Sequence, residues 1–157
     1  MRLLVPFDES WRETVASLEV HDQQQEFIGD FSDSLKRLSE RTTGHVILHE
    51  GAPAGFFILD SNFASEYDFA ASDSIGLLSF FVARQFQGKG LGKRALLELG
   101  PYIRAQEIQS TRVFLTVNCR NTIAASLYRN CGFRDTGELY LGGPCGPQHI
   151  MEMLIAR

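Results

Sequence analysis

The sequence predicts an α/β domain built on one mixed β-sheet, an α+β arrangement in the order β-α-α-β-β-β-α-β-α-β-β. Three observations carry that expectation. Two runs rich in β-branched and aromatic residues, 75–82 and 112–117, each lead into a segment with helical apolar spacing. A pair of β-favouring runs flanks a glycine-containing turn near Gly51. Two further runs, 133–141 and 148–155, read as a closing pair of strands.

Each element has its own warrant. Residues 2–6 read as a first strand, and 9–19 place Trp11, Val15 and Leu18 at helical spacing. A second helix is expected over about 30–40, with Phe31, Leu35 and Leu38 on one face. Gly44 leads into Val46–Glu50, Gly51-Ala52-Pro53 makes a turn, and Gly55–Asp60 is the partner strand. Residues 61–73 are polar with scattered aromatics and read as a loop or a short helical turn. Ile75–Val82 is the central strand, and Gly90 to about Ile108 is helical, with Gly100-Pro101 expected to kink or break it. Residues 112–117 form a strand and 122–130 a helix. There Asn121 is a plausible N-cap and Gly132 a C-terminal glycine.

The junction after the central strand has a chemical meaning. Arg84-Gln85-Phe86-Gln87-Gly88-Lys89-Gly90-Leu91-Gly92-Lys93-Arg94 puts three glycines at alternate positions where a strand feeds a helix. The free N–H groups of a first helical turn, with the dipole behind them, attract an anion. Glycines let a bulky phosphate approach the backbone, and Lys89, Lys93 and Arg94 add full positive charge. The spacing is neither that of a nucleotide P-loop nor that of a dinucleotide-binding βαβ unit.

A second motif follows about thirty residues on. Asn121, Ala124, Leu127 and Tyr128, then Gly132 and Phe133, lie on and just beyond the helix after Val113–Asn118. Together with Gln87, Gly90 and Gly92, these residues resemble the two signatures of the GNAT superfamily of acyl-CoA N-acetyltransferases. The resemblance covers about residues 74–157 well, and the first seventy fit the family's layout loosely. It implies the GNAT-type acyl-CoA N-acyltransferase fold, acetyl-CoA as co-substrate and no metal. It also implies main-chain contacts to the pantetheine arm from Phe81, Val82 and Arg84. The pyrophosphate would sit over Gln87, Gly88, Lys89, Gly90, Leu91, Gly92 and Lys93. Asn121, assisted by Asn118, would bind the arm, and Tyr128 would be the general acid. A phenol ionising near ~10 keeps its proton at neutral pH.

The base is not legible. An alkylamine ionises near ~10 and must lose a proton before it attacks, yet Ile75–Val82 carries no carboxylate. Glu50, Asp60, Glu66, Asp68 and Glu138 are candidates without a preference among them. His45 and His49 share a strand face rather than a helical ligand pair, and His149 is a candidate substrate contact. The acceptor site is expected among residues 20–35, 61–73 and 138–149. The acidic and aromatic segment Phe63, Glu66, Tyr67, Asp68, Asp73 would attract a cation. Gln23–Ile28 faintly resembles the front of polyamine-type acetyltransferases.

Composition bounds the partners. At 157 residues the chain is long enough for a single domain over 1–157 with a proper core. A formal net charge of −4 argues against a dedicated nucleic-acid binder. No apolar run reaches the length of a membrane span, and no signal peptide is evident. Three cysteines, Cys119, Cys131 and Cys145, form no CxxC pair, which fits a cytoplasmic protein. Three functions compete: transfer to a small-molecule primary amine, transfer to a protein N-terminus or lysine, and acyl-CoA sensing without turnover. A homodimer is common among relatives.

Overall fold

The computed structural model describes residues 2–20 and 31–155. Strand β1 (Leu4–Pro6) is followed by a 3-10 turn at Glu9–Trp11 and helix α1 (Arg12–Ala16). Helix α2 (Phe31–Lys36) precedes the hairpin of β2 (Thr42–His49) and β3 (Ala52–Asp60). A short helix α3 (Phe63–Glu66) leads to β4 (Ser74–Val82) and a 3-10 turn at Arg84–Phe86. Helix α4 (Leu91–Ala105), β5 (Arg112–Asn118), α5 (Thr122–Asn130), β6 (Arg134–Tyr140) and β7 (Gln148–Leu154) complete the order. The seven strands form one sheet in the order β1-β2-β3-β4-β5-β7-β6. Every pairing is antiparallel except β4 with β5, which α4 connects.

Strand alternation divides the core between the two faces. In β3, Phe56 and Ile58 pack with Val15 of α1, Leu35 of α2 and Phe81. Phe57 and Leu59 pack on the other side with Leu91, Ala95, Leu96, Leu99 and Ile103 of α4. A strand buried on both faces reads as a nearly continuous apolar run, which is what β3 is. Full burial of one such side chain contributes roughly 1.5–3 kcal/mol. A third cluster seats Phe63 against Phe114 and Ile150, with Tyr67, Phe69 and Tyr140 around it. Phe63 needs Gly76 beneath it, because a Cβ there would fall inside the Phe63 ring.

Two local expectations are corrected. The hairpin turns on Glu50-Gly51 (φ 51° and 81°), not on 51–53, so His49 pairs with Ala52 and Pro53 joins β3. Positive φ at both central residues is what a two-residue turn matching strand twist requires. Pro53 is accommodated opposite Leu48, where the β2–β3 register shifts. Helix α4 runs unbroken through Pro101. The carbonyl that loses its donor is that of Leu97, an exposed residue, so water can satisfy it. Residues 61–73 hold the expected short helical turn, α3, packed by its aromatic residues: Phe63 is buried and stacks on Tyr67 with centroids 4.4 Å apart.

Candidate active site

The site begins where β4 and β5 part. They pair only over Ser74–Gly76 and Arg112–Phe114. Further along β4, Phe56 faces Phe81 and Ile58 faces Leu78, so Ser79 and Phe80 together oppose the single residue Phe57. This is a β-bulge, and Ser79 takes the left-handed backbone (φ 53°) that it requires. A non-glycine residue there costs about 1–2 kcal/mol, which the packing on both faces of β4 offsets. The Ser34 and Ser79 hydroxyls meet at 3.3 Å, tying α2 to the bulge.

Between the parted strands lies a cavity of about 750 Å³. One end is the glycine loop. The Gln87 side-chain amide donates to the Val82 carbonyl (2.9 Å), folding the loop back on its strand. Gly88 (φ 83°) and Gly90 (φ 77°) take left-handed conformations, and beyond their chain neighbours nothing lies within 4 Å of where their Cβ atoms would be. Gly90 is the residue before α4 and supplies no side-chain cap. The first-turn N–H groups of Leu91, Gly92 and Lys93 therefore lack an intrahelical acceptor and lie at the cavity. That open cradle of donors fits a pyrophosphate.

The second motif forms the opposite wall. The Asn121 side-chain oxygen accepts from the Ala124 N–H (3.3 Å) and caps α5, leaving the amide N–H groups as donors. Asn118 is buried, donating to the Cys145 carbonyl (2.7 Å) and accepting from the Arg120 N–H (2.9 Å). It thereby holds the loop before β7 over the cavity. Tyr128 projects from α5 between Phe80 (centroids 6.2 Å apart) and Phe133 (5.6 Å). Burial pushes its phenol well above the usual tyrosine range. Its ring is 9% exposed and lines the cavity, and its hydroxyl has no hydrogen-bond partner among the described residues.

The cavity wall holds Phe81, Val82, Gln87, Gly88, Gly90, Leu91, Gly92, Lys93, Asn118, Asn121 and Tyr128 together. Arg84 and Lys89 stand outside it, and the Arg84 main-chain N–H is bonded to the Glu19 carbonyl (2.6 Å). The carboxylates considered as bases, Glu50, Asp60, Glu66, Asp68 and Glu138, are not in the wall either. Asp60 is buried and accepts from the Asn62 N–H (2.8 Å). Among the described residues Asp33 is the carboxylate that does line it, and Ser34, Arg37, Tyr67 and Gln148 are also in the wall. Nothing in the local sequence marks Asp33 or Arg37, since tertiary packing of α2 brings them there. His149 pairs with Asp135 (3.4 Å) instead of lining the cavity. Gln23–Ile28 lies outside the described residues.

His45 belongs to a separate network. Its ring lies 2.6 Å from the Tyr102 hydroxyl and 2.8 Å from that of Thr43. No group of three His, Cys, Asp or Glu among the described residues is arranged to hold a metal. No helix among them is long and apolar enough to cross a membrane.

A parallel strand pair that parts beside a glycine-rich helix start, with a buried tyrosine facing the gap, defines an acyl-CoA transferase type of site. The model of the acetyltransferase (GNAT) family matches residues 6–133, and the chain belongs to that family. The match begins well before the glycine loop, so most of the first seventy residues fall within it. The uncharacterized N-acetyltransferase YbbJ of Bacillus subtilis (strain 168) is 33% identical over 107 residues, 68% of this chain and 66% of that protein. The spermine/spermidine N(1)-acetyltransferase of the same strain is 33% identical over 98 residues, 62% of each. The chain thus spans just under two thirds of the length of these curated relatives. Among solved structures, aminoglycoside acetyltransferase AAC(6')-Ib, in a complex with acetyl-CoA, superposes with a TM-score of 0.76 at 18% identity. The match covers 97% of this chain and 92% of that one.

Proposed function

We propose that this protein transfers the acetyl group of acetyl-CoA to the primary amine of a small molecule, with Tyr128 as general acid. One observation carries the reading: a single cavity joins the glycine cradle, the parted strands and the Tyr128 hydroxyl. The family supports it, as do relatives named for acting on spermine, spermidine and aminoglycosides.

Bound acetyl-CoA supplies an activated thioester. The N–H groups of Leu91, Gly92 and Lys93 hold its pyrophosphate, and Lys93 adds charge. The gap between β4 and β5 takes the pantetheine arm, with Asn121 as a side-chain donor. Holding both reactants in one alignment is worth up to ~7–11 kcal/mol. Tyr128 then faces the sulfur. A thiol ionises near ~8.5, below this buried phenol, so complete proton transfer from Tyr128 is uphill. The phenol acts by lending its O–H to the developing thiolate, and the proton shed by the amine restores the balance. Phe80, Phe133 and Leu127 keep water from that end.

The test is thiol release from acetyl-CoA across a panel of polyamines, amino acids, aminoglycosides and short peptides. Amine-dependent release is the expected result. Tight acetyl-CoA binding with no release for any amine would overturn the reading in favour of a sensor or a protein acceptor outside the panel.

A further inference from the structure

The cavity wall carries both signs of charge. Helix α2 presents Asp33 to the cavity wall, and Arg37, the residue just past its end, lines the same wall four positions on, with Ser34 between them. Residues at this spacing are neighbours, about 5–6 Å apart at Cβ. Asp33 and Arg37 form no ion pair with each other or with any other described residue, so both charges are open to a ligand. Both side chains are exposed to the cavity. The wall they stand on is anchored, because Leu35 between them is 3% exposed and packs with Val15, Val46, Phe56 and Phe81. The Ser34 hydroxyl reaches the bulge at Ser79, next to the Phe80 ring that meets Tyr128. Asp33 is therefore one residue from the contact that leads to the reacting end, and Arg37 stands about a turn away.

Resting on the acetyltransferase reading, we propose that the acceptor is a zwitterionic amine, such as an amino acid or short peptide, whose ammonium meets Asp33 and whose carboxylate meets Arg37. A polycation fits this wall poorly. Asp33 is the one carboxylate lining the cavity among the described residues, and the Arg37 guanidinium repels a second ammonium. The planar fork of Arg37 suits a carboxylate held by two parallel hydrogen bonds. Asp33 in turn keeps the incoming ammonium beside the thioester and is placed to take the proton it sheds.

The experiment compares amino acids and dipeptides, their carboxamides, and spermidine as acceptors for the wild type, Arg37→Gln and Arg37→Glu. In the wild type, converting the carboxylate to an amide should lower kcat/KM roughly 10- to 100-fold, the range of a charge-assisted hydrogen bond. Arg37→Gln should erase that difference through KM, leaving acetyl-CoA affinity unchanged. Arg37→Glu should shift preference toward spermidine. Wild-type preference for spermidine, indifferent to Arg37→Glu, would overturn the proposal. Calorimetric binding of the same amines in the presence of CoA separates the two readings. Zwitterion binding that depends on Arg37, without turnover of any amine, would sink acetyl transfer and keep the recognition. Binding indifferent to Arg37 would sink the recognition.

Discussion

Lowering the pH should destabilise this protein through one buried histidine, and the size of the effect follows from its surroundings. His45 is 4% exposed and stacks on Phe57 at a centroid distance of 5.2 Å. Burial pushes Tyr102 above its usual range, so its O–H is a donor, and it meets His45 Nδ1 at 2.6 Å. Nε2–H then donates to Thr43 Oγ1, whose own proton points to the Leu59 carbonyl. Every ring atom is satisfied in the neutral form. Burial lowers the folded-state value to about 4, against 6.5 for the free side chain. The sign follows from linkage. Between these values the unfolded chain binds a proton that the folded chain refuses, so stability falls as pH falls. At about pH 4.5 the loss relative to neutral pH comes to about 2–2.5 kcal/mol. The assay is urea unfolding of the wild type and of His45→Gln at about pH 7 and about pH 4.5. Gln lacks the titration, so the wild type should lose about 2 kcal/mol more than the variant over that interval. Parallel losses in the two proteins would refute the assignment of a neutral, buried His45.

Two further outcomes follow from the glycines. Gly90→Glu should abolish acetyl-CoA binding, since it sets a carboxylate in the pyrophosphate cradle and forces a side chain into a left-handed backbone; calorimetry with CoA checks it, and retained affinity would mean the phosphate site lies elsewhere. Gly76→Ala should destabilise the fold by roughly 1–3 kcal/mol, because its Cβ would meet the buried Phe63 ring; an unchanged urea midpoint would show that Phe63 repacks without cost.

What could be read from the sequence was what is encoded locally. The glycine loop and the Asn121–Phe133 motif each state their geometry within a few residues, and residues of both line the cavity. The bulge could not be read, because Leu78-Ser79-Phe80-Phe81 is an ordinary strand sequence. Its register is set by pairing with Phe56 and Ile58, twenty or more residues away. The acidic loop misled for a related reason. Its aromatic residues, not its charges, decide its position: Phe63 is buried, Asp73 is bonded to Thr111, and only Tyr67 of the segment reaches the cavity. Asp33 and Arg37 carry no local signal, because α2 acquires its place through Leu35 docking on β2, β3 and β4 and through the Ser34–Ser79 contact. Pro53 reads as a turn former and draws the expected hairpin turn one residue late, whereas the turn rests on the positive φ of Glu50 and Gly51.

The most direct measurement on acetyl transfer is the turnover of Tyr128→Phe beside its acetyl-CoA affinity. The substitution removes one hydroxyl and keeps the ring that packs between Phe80 and Phe133. With Tyr128 as the acid, kcat should fall by about 10²-fold or more while the acetyl-CoA dissociation constant holds within a few-fold. Unchanged kcat would remove Tyr128 from the chemistry and leave it a packed wall of the cavity.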